Sequence, residues 1–246
     1  FVSPDVARDS PELVAAANWH LLATFAGRFV AEGNGLLIDI GSTTTDVIPL
    51  CDGLPNSQGR TDRERLSSGE LVYSGVKRTP LCAIGRDVRL GESTVGLAAE
   101  VFATMHDVYI WRNDVAQDEA DCETANGRPA TRDEAAERLA RMICCDCTEV
   151  SNDELDEMCR QLAQRQYEQI EGAVSAVVSR SSIPPRVVLV SGSGEFLALR
   201  IARNHADLRQ AEVISLTSAF GASISSAACA FAAASLLKER NGLFRK

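Results

Sequence analysis

Positive charge is scarce in this sequence of 246 residues. Lys and Arg number 25 against 34 Asp and Glu, so the formal net charge is −9. A chain of this charge repels nucleic-acid phosphates and anionic membrane surfaces. No stripe of basic residues with interleaved aromatics offsets that repulsion. The sequence therefore predicts a protein that binds neither nucleic acid nor membrane.

Long hydrophobic runs are also missing. The nearest candidate, SAFGASISSAACAFAAASLL at residues 218–237, is rich in small residues and contains five serines. A membrane-spanning helix needs about 20 predominantly apolar residues, so this segment favours a buried helix. No signal peptide is recognised, and we expect a cytoplasmic protein. The first residue is Phe1 rather than Met, from which we expect a processed or trimmed chain that lacks an N-terminal segment.

Histidine is rare and scattered, whereas cysteine is not. There are three histidines and eight cysteines, and the cysteines include the string CCDC at residues 144–147. Structural zinc sites usually combine two CxxC-like pairs, or cysteines with nearby histidines. The sequence has neither arrangement. We therefore expect reduced thiols rather than a metal–thiolate site.

The pattern of hydrophobic residues predicts an α/β protein with one large domain or two small ones. Residues 11–31 have helical periodicity, and residues 35–50 are typical of two short strands joined by a turn. Residues 186–202 predict a strand, a Gly-Ser-Gly turn and a helix. Another strand is predicted at 211–216, and the segment at 218–237 closes the chain as a helix.

Four further stretches complete the predicted order of elements. Residues 70–76 have strand character, and residues 93–111 begin as a helix and end in β-prone residues. Capping boxes then open two helices, over about residues 131–145 and 151–179.

The turn of the predicted hairpin carries more polar chemistry than a turn requires. The string DIGSTTTD places Asp39 at the end of the first strand and Asp46 at the start of the second. Asp39 can hold Mg²⁺ beside a bound phosphate, and Asp46 can act as a second carboxylate or orient the turn. Backbone amides and hydroxyls between them can converge on an anion: these belong to Gly41, Ser42, Thr43 and Thr44. A solvent-exposed polar turn is an alternative of equal weight.

A second candidate site is the turn at Gly192, Ser193 and Gly194. It precedes a predicted helix, whose free N-terminal amides and dipole favour a phosphate group. A tight strand-to-helix turn without a ligand is the alternative, again of equal weight.

A third candidate is a basic and hydroxyl surface for an anionic ligand. Its members are Arg63, Tyr73, Lys77, Arg78 and Thr79. Arg65 is expected to be a solvated charge. Asp62 and Glu70 can instead pair with arginines, which would make the cluster structural.

Three segments, taken in order, resemble the actin, sugar-kinase and Hsp70 ATPase superfamily. They correspond to its second phosphate loop at 39–45, its adenosine loop at 192–194 and its second connecting helix at 219–222. The resemblance implies an actin-like ATPase (ribonuclease H-like) fold, in which helices flank a mixed sheet. The superfamily's first phosphate loop, an Asp-x-Gly loop, is not found upstream of residue 35 and is expected to be missing.

The same resemblance implies two domains. Residues 1–34 would be a connecting helix and the remnant of a first lobe. Residues 35–246 would form a second actin-like lobe with a helical insertion at about 93–180.

Longer strings resemble the hydantoinase A/oxoprolinase-like branch of that superfamily. They are IDIGSTTTDVIPL, TDRERLSSGELVYSGVKRTPLC, FATMHDVYIW and TANGRPATRDEAAERLARMIC. Within the branch they are similar to the group linked to tetrahydromethanopterin one-carbon transfer, whose archaeal members are methanofuran-biosynthesis synthases. The resemblance spans roughly residues 15–235 and is most specific at 69–80.

The resemblance implies a transferase of methanofuran-type cofactor biosynthesis. The phenol oxygen of a tyramine-type amine would displace diphosphate from an aminomethylfuran diphosphate and form an ether. Asp39 would hold Mg²⁺, Gly41–Thr44 would bind phosphate, and Arg78 or Lys77 would steady the leaving group.

The resemblance leaves the base and the wider function open. Asp46 and Glu70 are both candidates for accepting the phenol proton. An ATP-dependent kinase or a hydantoinase/oxoprolinase-like hydrolase is one alternative, with ATP as cofactor, and a non-catalytic nucleotide-binding protein is another. The expected partners are small-molecule diphosphate and phenolic amine substrates, and a homodimer is the assembly considered.

Overall fold

A computed structural model describes residue 2, residues 4–10 and residues 17–240 of the chain. The part of the predicted N-terminal helix at residues 11–16 lies outside the described residues. No helix in the described part of the chain is long and apolar enough to cross a membrane.

The described residues form eight strands and eleven α-helices, together with three short 3-10 helices. The strands are β1 (Asn34–Ile40), β2 (Thr45–Cys51), β3 (Leu54–Pro55), β4 (Leu71–Val72), β5 (Asp87–Leu90), β6 (Ser93–Gly96), β7 (Val187–Ser191) and β8 (Glu212–Ser215). The helices are α1 (Pro4–Asp9), α2 (Asn18–Ala26), α3 (Asp62–Ser68), α4 (Leu81–Ile84), α5 (Met105–Trp111), α6 (Arg132–Met142), α7 (Asn152–Val178), α8 (Glu195–Asn204), α9 (Leu216–Phe220), α10 (Ala222–Ser226) and α11 (Ala228–Arg240).

The fold divides into two compact units. The first comprises Phe1–Asp39, Asp46–Val72 and Ala173–Lys246, and the second comprises Ile40–Thr45 and Tyr73–Gly172. The domain limits implied by the resemblance stay a prediction.

A six-stranded mixed sheet forms the centre of the first unit. Its order is β3-β2-β1-β7-β8, with β4 paired to β2. β1 pairs parallel with β7 and β7 with β8, whereas β2 and β3 run antiparallel. In the parallel registers Asp39 lies opposite Ser191, and Val190 lies opposite Ser215. The carboxyl ends of three strands therefore meet at one edge, the usual place for ligand sites in sheets of this kind.

Apolar side chains from helices and strands form the core of this unit. Trp19, Leu22 and Phe25 of α2 pack with Leu37 of β1 and Leu189 of β7. Each fully buried aliphatic or aromatic side chain stabilises the fold by about 1.5–3 kcal/mol. The helical periodicity of residues 11–31 predicts α2, although the α-helix ends earlier than expected, at Ala26.

The second unit is mainly helical. Its α5 and α6 share an apolar cluster around Ile110 and Ala135, and β5 and β6 form an antiparallel hairpin. Arg138 of α6 donates to Asp107 of α5 at 2.8 Å, and both side chains are fully buried. Truncating either partner would leave an uncompensated buried charge.

Residues 93–111 are the clearest error of the sequence prediction, because the order of the two elements is reversed. The expected helix start is strand β6, whose β-branched residues pair with β5. The expected strand is α5, in which every residue is buried. The Asp107 carboxylate accepts the Thr104 amide at 2.9 Å and caps the helix start. Burial and capping override the β preference of this stretch.

Other predicted elements differ in extent. The strand expected at 70–76 is confined to β4, because the following residues form a loop. The closing helix expected at 218–237 is divided into α9, α10 and α11, with Gly221 at φ +97 between the first two. That conformation suits glycine and interrupts a helix.

Candidate functional site

The turn at residues 41–44 leaves three consecutive amides available. The Gly41 amide donates to the Thr44 carbonyl at 2.9 Å and closes the turn. Among the residues that the structure describes, none accepts a hydrogen bond from the amides of Ser42, Thr43 or Thr44. Ser42 is exposed and the other residues of the turn are half-buried. The turn is therefore open to an anion and less solvated than a free polar hairpin.

The loop after β4 holds this turn from one side. The Val76 amide donates to the Gly41 carbonyl at 3.0 Å, and the Lys77 and Arg78 amides donate to the Ser42 carbonyl at 3.0 and 2.8 Å. These bonds occupy carbonyl oxygens that would otherwise repel an anion.

Gly75 allows the loop and the turn to approach so closely. A Cβ atom placed on Gly75 would lie 2.5 Å from the Thr43 nitrogen and 2.6 Å from the Gly41 oxygen. Real Cβ atoms do not come this close to backbone atoms, so any side chain would displace the turn. The sequence analysis did not single out Gly75, although the most specific string of the resemblance contains it.

Two cations follow Gly75 in the same loop. Lys77 is half-buried, and its ammonium contacts Asp121 at 2.7 Å and Glu123 at 3.4 Å. Arg78 is exposed, and no described residue forms an ion pair with it. Of the two candidates for steadying a leaving group, Arg78 is the one with a free charge.

The other members of the predicted basic surface differ in burial and in role. Tyr73 is exposed, whereas Thr79 is buried and accepts the Gly75 amide at 2.8 Å, which is a structural role. Arg63 is exposed in the first unit.

Asp39 occupies the edge of the first unit's sheet where the parallel strands end. Its carboxylate is 8% exposed and accepts the Ser191 hydroxyl at 2.6 Å. Burial raises the pKa of Asp39 to about 7, with further contributions from the charges of Asp46 and Glu195 and opposition from the Ser191 hydrogen bond. A near-neutral pKa lets this group change charge when a cation or proton arrives.

Glu195, at the start of α8, is a functional candidate that the sequence analysis missed. Its buried carboxylate accepts hydrogen bonds from the Ser215 hydroxyl, from the Thr217 amide and hydroxyl, and from the Ser225 hydroxyl. These donors lie on β8, α9 and α10, so the carboxylate ties three elements to the sheet edge. Nothing local marks Glu195, because its donors follow 20 to 30 residues later.

The Gly192–Gly194 turn lies between β7 and α8, as predicted. Gly192 has φ +95, and its amide donates to the Ser225 carbonyl and hydroxyl at 3.2 and 3.1 Å. Ser193 is exposed, while Gly192 and Gly194 are buried. One amide of this turn is thus used within the protein, and its role in binding a ligand stays a prediction.

The solvated position expected for Arg65 is wrong. Arg65 is 1% exposed, forms an ion pair with Asp46, and lies over the Trp19 ring at 4.1 Å. Burial raises the pKa of Asp46, and the Arg65 guanidinium opposes that shift. The partner could not be read from the sequence because the two residues are 19 positions apart.

Both carboxylate oxygens of Glu70 accept hydrogen bonds from within the protein. Its fully buried carboxylate accepts the Ser57 hydroxyl, the Gln58 and Gly59 amides, and the Arg180 guanidinium, all between 2.8 and 2.9 Å. Burial acts to raise the pKa of Glu70, but the hydrogen bonds from the Gln58 and Gly59 amides and from the Ser57 and Ser68 side chains together lower it. These contacts favour a structural role for Glu70. Its ion-pair partner is Arg180 and not an arginine of the predicted basic surface.

The carboxylates at the sheet edge determine how a magnesium ion could be held. In the described part of the chain, no group of three or more His, Cys, Asp or Glu side chains lies close enough to hold a metal. Magnesium is commonly bound by one or two carboxylates together with waters and substrate phosphates. Asp39, with one oxygen bonded to Ser191, fits that mode and not an all-protein cage. All eight cysteines are free thiols.

Comparisons with known proteins extend over nearly the whole chain. The family model described as hydantoinase/oxoprolinase matches residues 1–240. The (4-{4-[2-(gamma-L-glutamylamino)ethyl]phenoxymethyl}furan-2-yl)methanamine synthase of Methanocaldococcus jannaschii is 29% identical over 240 residues, which cover 98% of this chain and 70% of the relative. The synthase of the same name from Methanococcus vannielii is 28% identical over 207 residues, or 84% and 92% of the two chains.

A solved structure shows the same fold. The nucleotide-free structure of acetone carboxylase, from work on the mechanism of ATP-dependent acetone carboxylation, has a TM-score of 0.54 to this chain at 15% identity. The match covers 85% of this chain and 30% of the carboxylase chain, so this chain spans less than a third of that protein. The predicted α/β fold, with helices flanking a mixed sheet, is confirmed.

Proposed function

The chain belongs to the hydantoinase/oxoprolinase family, and from this premise we propose that it is a transferase that displaces diphosphate from an aminomethylfuran diphosphate with a tyramine-type phenol. The product is an aryl alkyl ether of the methanofuran type. The observation that carries the proposal is the shared name of two relatives that align with 98% and 84% of this chain. That name describes a phenoxymethyl group on a furan that bears a methanamine, which is the ether this reaction forms.

The turn at Gly41–Thr44 binds the diphosphate. Three free amides and three hydroxyls supply hydrogen-bond donors without any change of charge. Donors fixed in advance stabilise the negative charge that develops on the leaving group. Arg78, which has no ion-pair partner among the described residues, adds a positive charge from the loop that supports the turn.

Asp39 would hold a Mg²⁺ ion that enters with the diphosphate. When bound, the ion neutralises charge on the leaving group. Burial keeps the pKa of Asp39 near 7, so the carboxylate releases its proton when a cation binds. Ser191 fixes one carboxylate oxygen and leaves the other for the ligand.

Asp46 is the better placed of the two candidate bases. Its Oδ1 is held by Arg65, and no described residue donates to its second oxygen. Every acceptor position of Glu70 is already used, so Glu70 keeps a structural role. The phenol proton passes to Asp46, the phenol oxygen bonds to the furan methylene carbon, and the bond to diphosphate breaks with its electron pair leaving on diphosphate.

The test is a reaction with defined components. Purified protein is incubated with aminomethylfuran diphosphate, Mg²⁺ and either tyramine or its γ-glutamyl derivative, without ATP. We expect one equivalent of diphosphate for each equivalent of ether, both measured by mass spectrometry. Formation of neither product with either amine would refute the proposal.

An ATP-dependent hydrolase is the second candidate, and the description of the family model favours it. In that case a small cyclic amide would stimulate ATP hydrolysis and open its ring. The reaction without ATP distinguishes the two functions, because only the transferase releases diphosphate under that condition.

A further inference from the structure

Gln166 is a fully buried glutamine whose side chain uses both ends of its amide. Its Nε2 donates to the Ser74 hydroxyl at 2.8 Å and to the Gly75 carbonyl at 2.9 Å. Its Oε1 accepts the Tyr109 hydroxyl at 2.5 Å. A buried amide with these partners has a single orientation, because flipping it would place its Oε1 against the Gly75 carbonyl oxygen, and neither of these two acceptors carries a proton.

The residues that Gln166 contacts are those that support the anion-binding turn. The Ser74 carbonyl also accepts the Thr45 hydroxyl at 2.8 Å, which ties the loop to the first residue after the turn. Gly75 lies against the turn backbone itself. From Gly75 onward, the amides of Val76, Lys77 and Arg78 bind the turn carbonyls.

We propose that Gln166, oriented by Tyr109, is a positioning residue that fixes the Ser74–Gly75 backbone and thereby presents the amides of the turn at residues 42–44 to a diphosphate. The inference rests on the proposed function for the identity of the ligand. Its structural part, the control of the turn by α7, is independent of that function. Gln166 touches no substrate and acts only through the loop.

The competing explanation is that Gln166 only satisfies polar groups in the interior. Both explanations predict that its replacement lowers stability, since an unpaired buried polar group is costly. The two explanations differ in which part of the structure the replacement affects. A positioning residue changes the turn selectively, whereas a purely structural residue weakens the unit as a whole.

The chain offers a control on the same helix, at the half-buried Gln161. Gln161 also exchanges hydrogen bonds with a backbone, accepting the Arg89 amide at 3.0 Å and donating to the Arg89 carbonyl at 2.6 Å. Those bonds hold strand β5 rather than the loop beside the turn. Gln161→Met and Gln166→Met therefore remove the same chemical group from α7 at two places.

The experiment measures amide hydrogen exchange in both variants and in the unmodified protein. We expect exchange of the Gly41, Val76, Lys77 and Arg78 amides to rise about tenfold in Gln166→Met and to stay unchanged in Gln161→Met, since a lost buried hydrogen bond shifts an opening equilibrium by about that factor. If Gln166→Met does not fold, Tyr109→Phe removes only the orienting hydroxyl, and the same amides should exchange about threefold faster. Unchanged exchange of these amides in the folded variant overturns the inference.

Calorimetric titration with inorganic diphosphate and Mg²⁺ completes the test. We expect Gln166→Met to weaken diphosphate binding about tenfold, with Gln161→Met equal to the unmodified protein. Equal binding by all three overturns the claim that Gln166 controls affinity. If the unmodified protein binds no diphosphate, the proposed function fails, and the exchange rates still decide whether Gln166 positions the turn.

Discussion

Asp39 is a carboxylate whose surroundings oppose its ionisation. It is nearly buried, and Ser191 is its only hydrogen-bond donor among the described residues. If Asp39 served only the stability of the fold, a neutral or better paired side chain at this position would make the folded state more stable. Its environment therefore indicates a role that depends on a change of charge, as ionisable groups with strongly shifted pKa values commonly do.

Replacing Asp39 with asparagine separates activity from stability. We expect Asp39→Asn to lower transferase activity by about 100-fold or more, because the amide cannot hold a cation at the leaving group. The melting temperature in metal-free buffer at pH 8 should be unchanged or higher. Burial raises the pKa of Asp39 to about 7, so above that pH the wild-type protein carries the cost of a buried charge.

Asp114→Asn is a control for Asp39→Asn, because it removes a half-buried carboxylate that pairs with Arg112 at 2.7 Å. It should leave activity and melting temperature close to those of the unmodified protein. Full activity of Asp39→Asn with an unchanged requirement for Mg²⁺ would show that Asp39 does not hold the ion.

Glu70 should govern stability in acid. Its pKa lies below the ordinary value of 4.5, so it stabilises the folded state above that pH and loses this effect as the pH falls through the folded-state pKa. We expect Glu70→Gln to lower the free energy of unfolding at pH 7 by about 2–4 kcal/mol. Urea unfolding should also show a shallower loss of stability below about pH 4.5 in the variant. If the free energy of unfolding of the variant depended on acidic pH as it does in the unmodified protein, Glu70 would not have this structural role.

The sequence predicted residues whose chemistry is visible locally and missed those defined by distant partners. Asp39 stands out because it adjoins a turn rich in glycine and hydroxyls. Glu195 and Arg65 do not, because an isolated acid or base in a sequence is usually exposed. Their partners lie on other strands and helices, so only the fold shows that they are buried and paired.

At the scale of elements, Gly75 couples the loop after β4 to the turn. We expect Gly75→Ala to lower the free energy of unfolding by about 1–3 kcal/mol, because the added methyl group would meet backbone atoms that cannot rotate away. Diphosphate binding should fall further than stability, since the turn itself is displaced. Denaturant unfolding and calorimetric titration measure the two effects.

Gly96→Ala provides the comparison for Gly75→Ala. A Cβ atom on Gly96 meets no atom within 4 Å, so this variant should retain both stability and binding. Equal behaviour of the two alanine variants would mean that the close approach of loop and turn has no functional consequence.

Elements with a continuous local pattern were predicted well. β1 and β2 are neighbours in the sheet, β7 leads into α8 through the glycine turn, and α7 begins after Ser151 with the expected capping box. The helix α5 was missed because all seven of its residues are buried, including the polar His106 and Asp107. Such a segment has no amphipathic period, so its burial between other elements decides its conformation.

At the scale of the molecule, the proposed reaction should not need ATP. A leaving diphosphate already provides the driving force for ether formation, so added Mg²⁺–ATP should not raise the rate of product formation. The measurement is the initial rate of ether formation with and without ATP. A rate that rises from zero only when ATP is present would instead support the hydrolase or kinase alternative.

The central claim is that the turn at Gly41–Thr44 is the diphosphate site and that Asp39 is its metal ligand. A crystal structure of the protein grown with Mg²⁺ and inorganic diphosphate tests it most directly. We predict diphosphate oxygens within hydrogen-bond distance of the amides of Ser42, Thr43 and Thr44, and an ion coordinated by Asp39. Diphosphate bound instead at Gly192–Gly194, with Asp39 uncoordinated, would contradict the account.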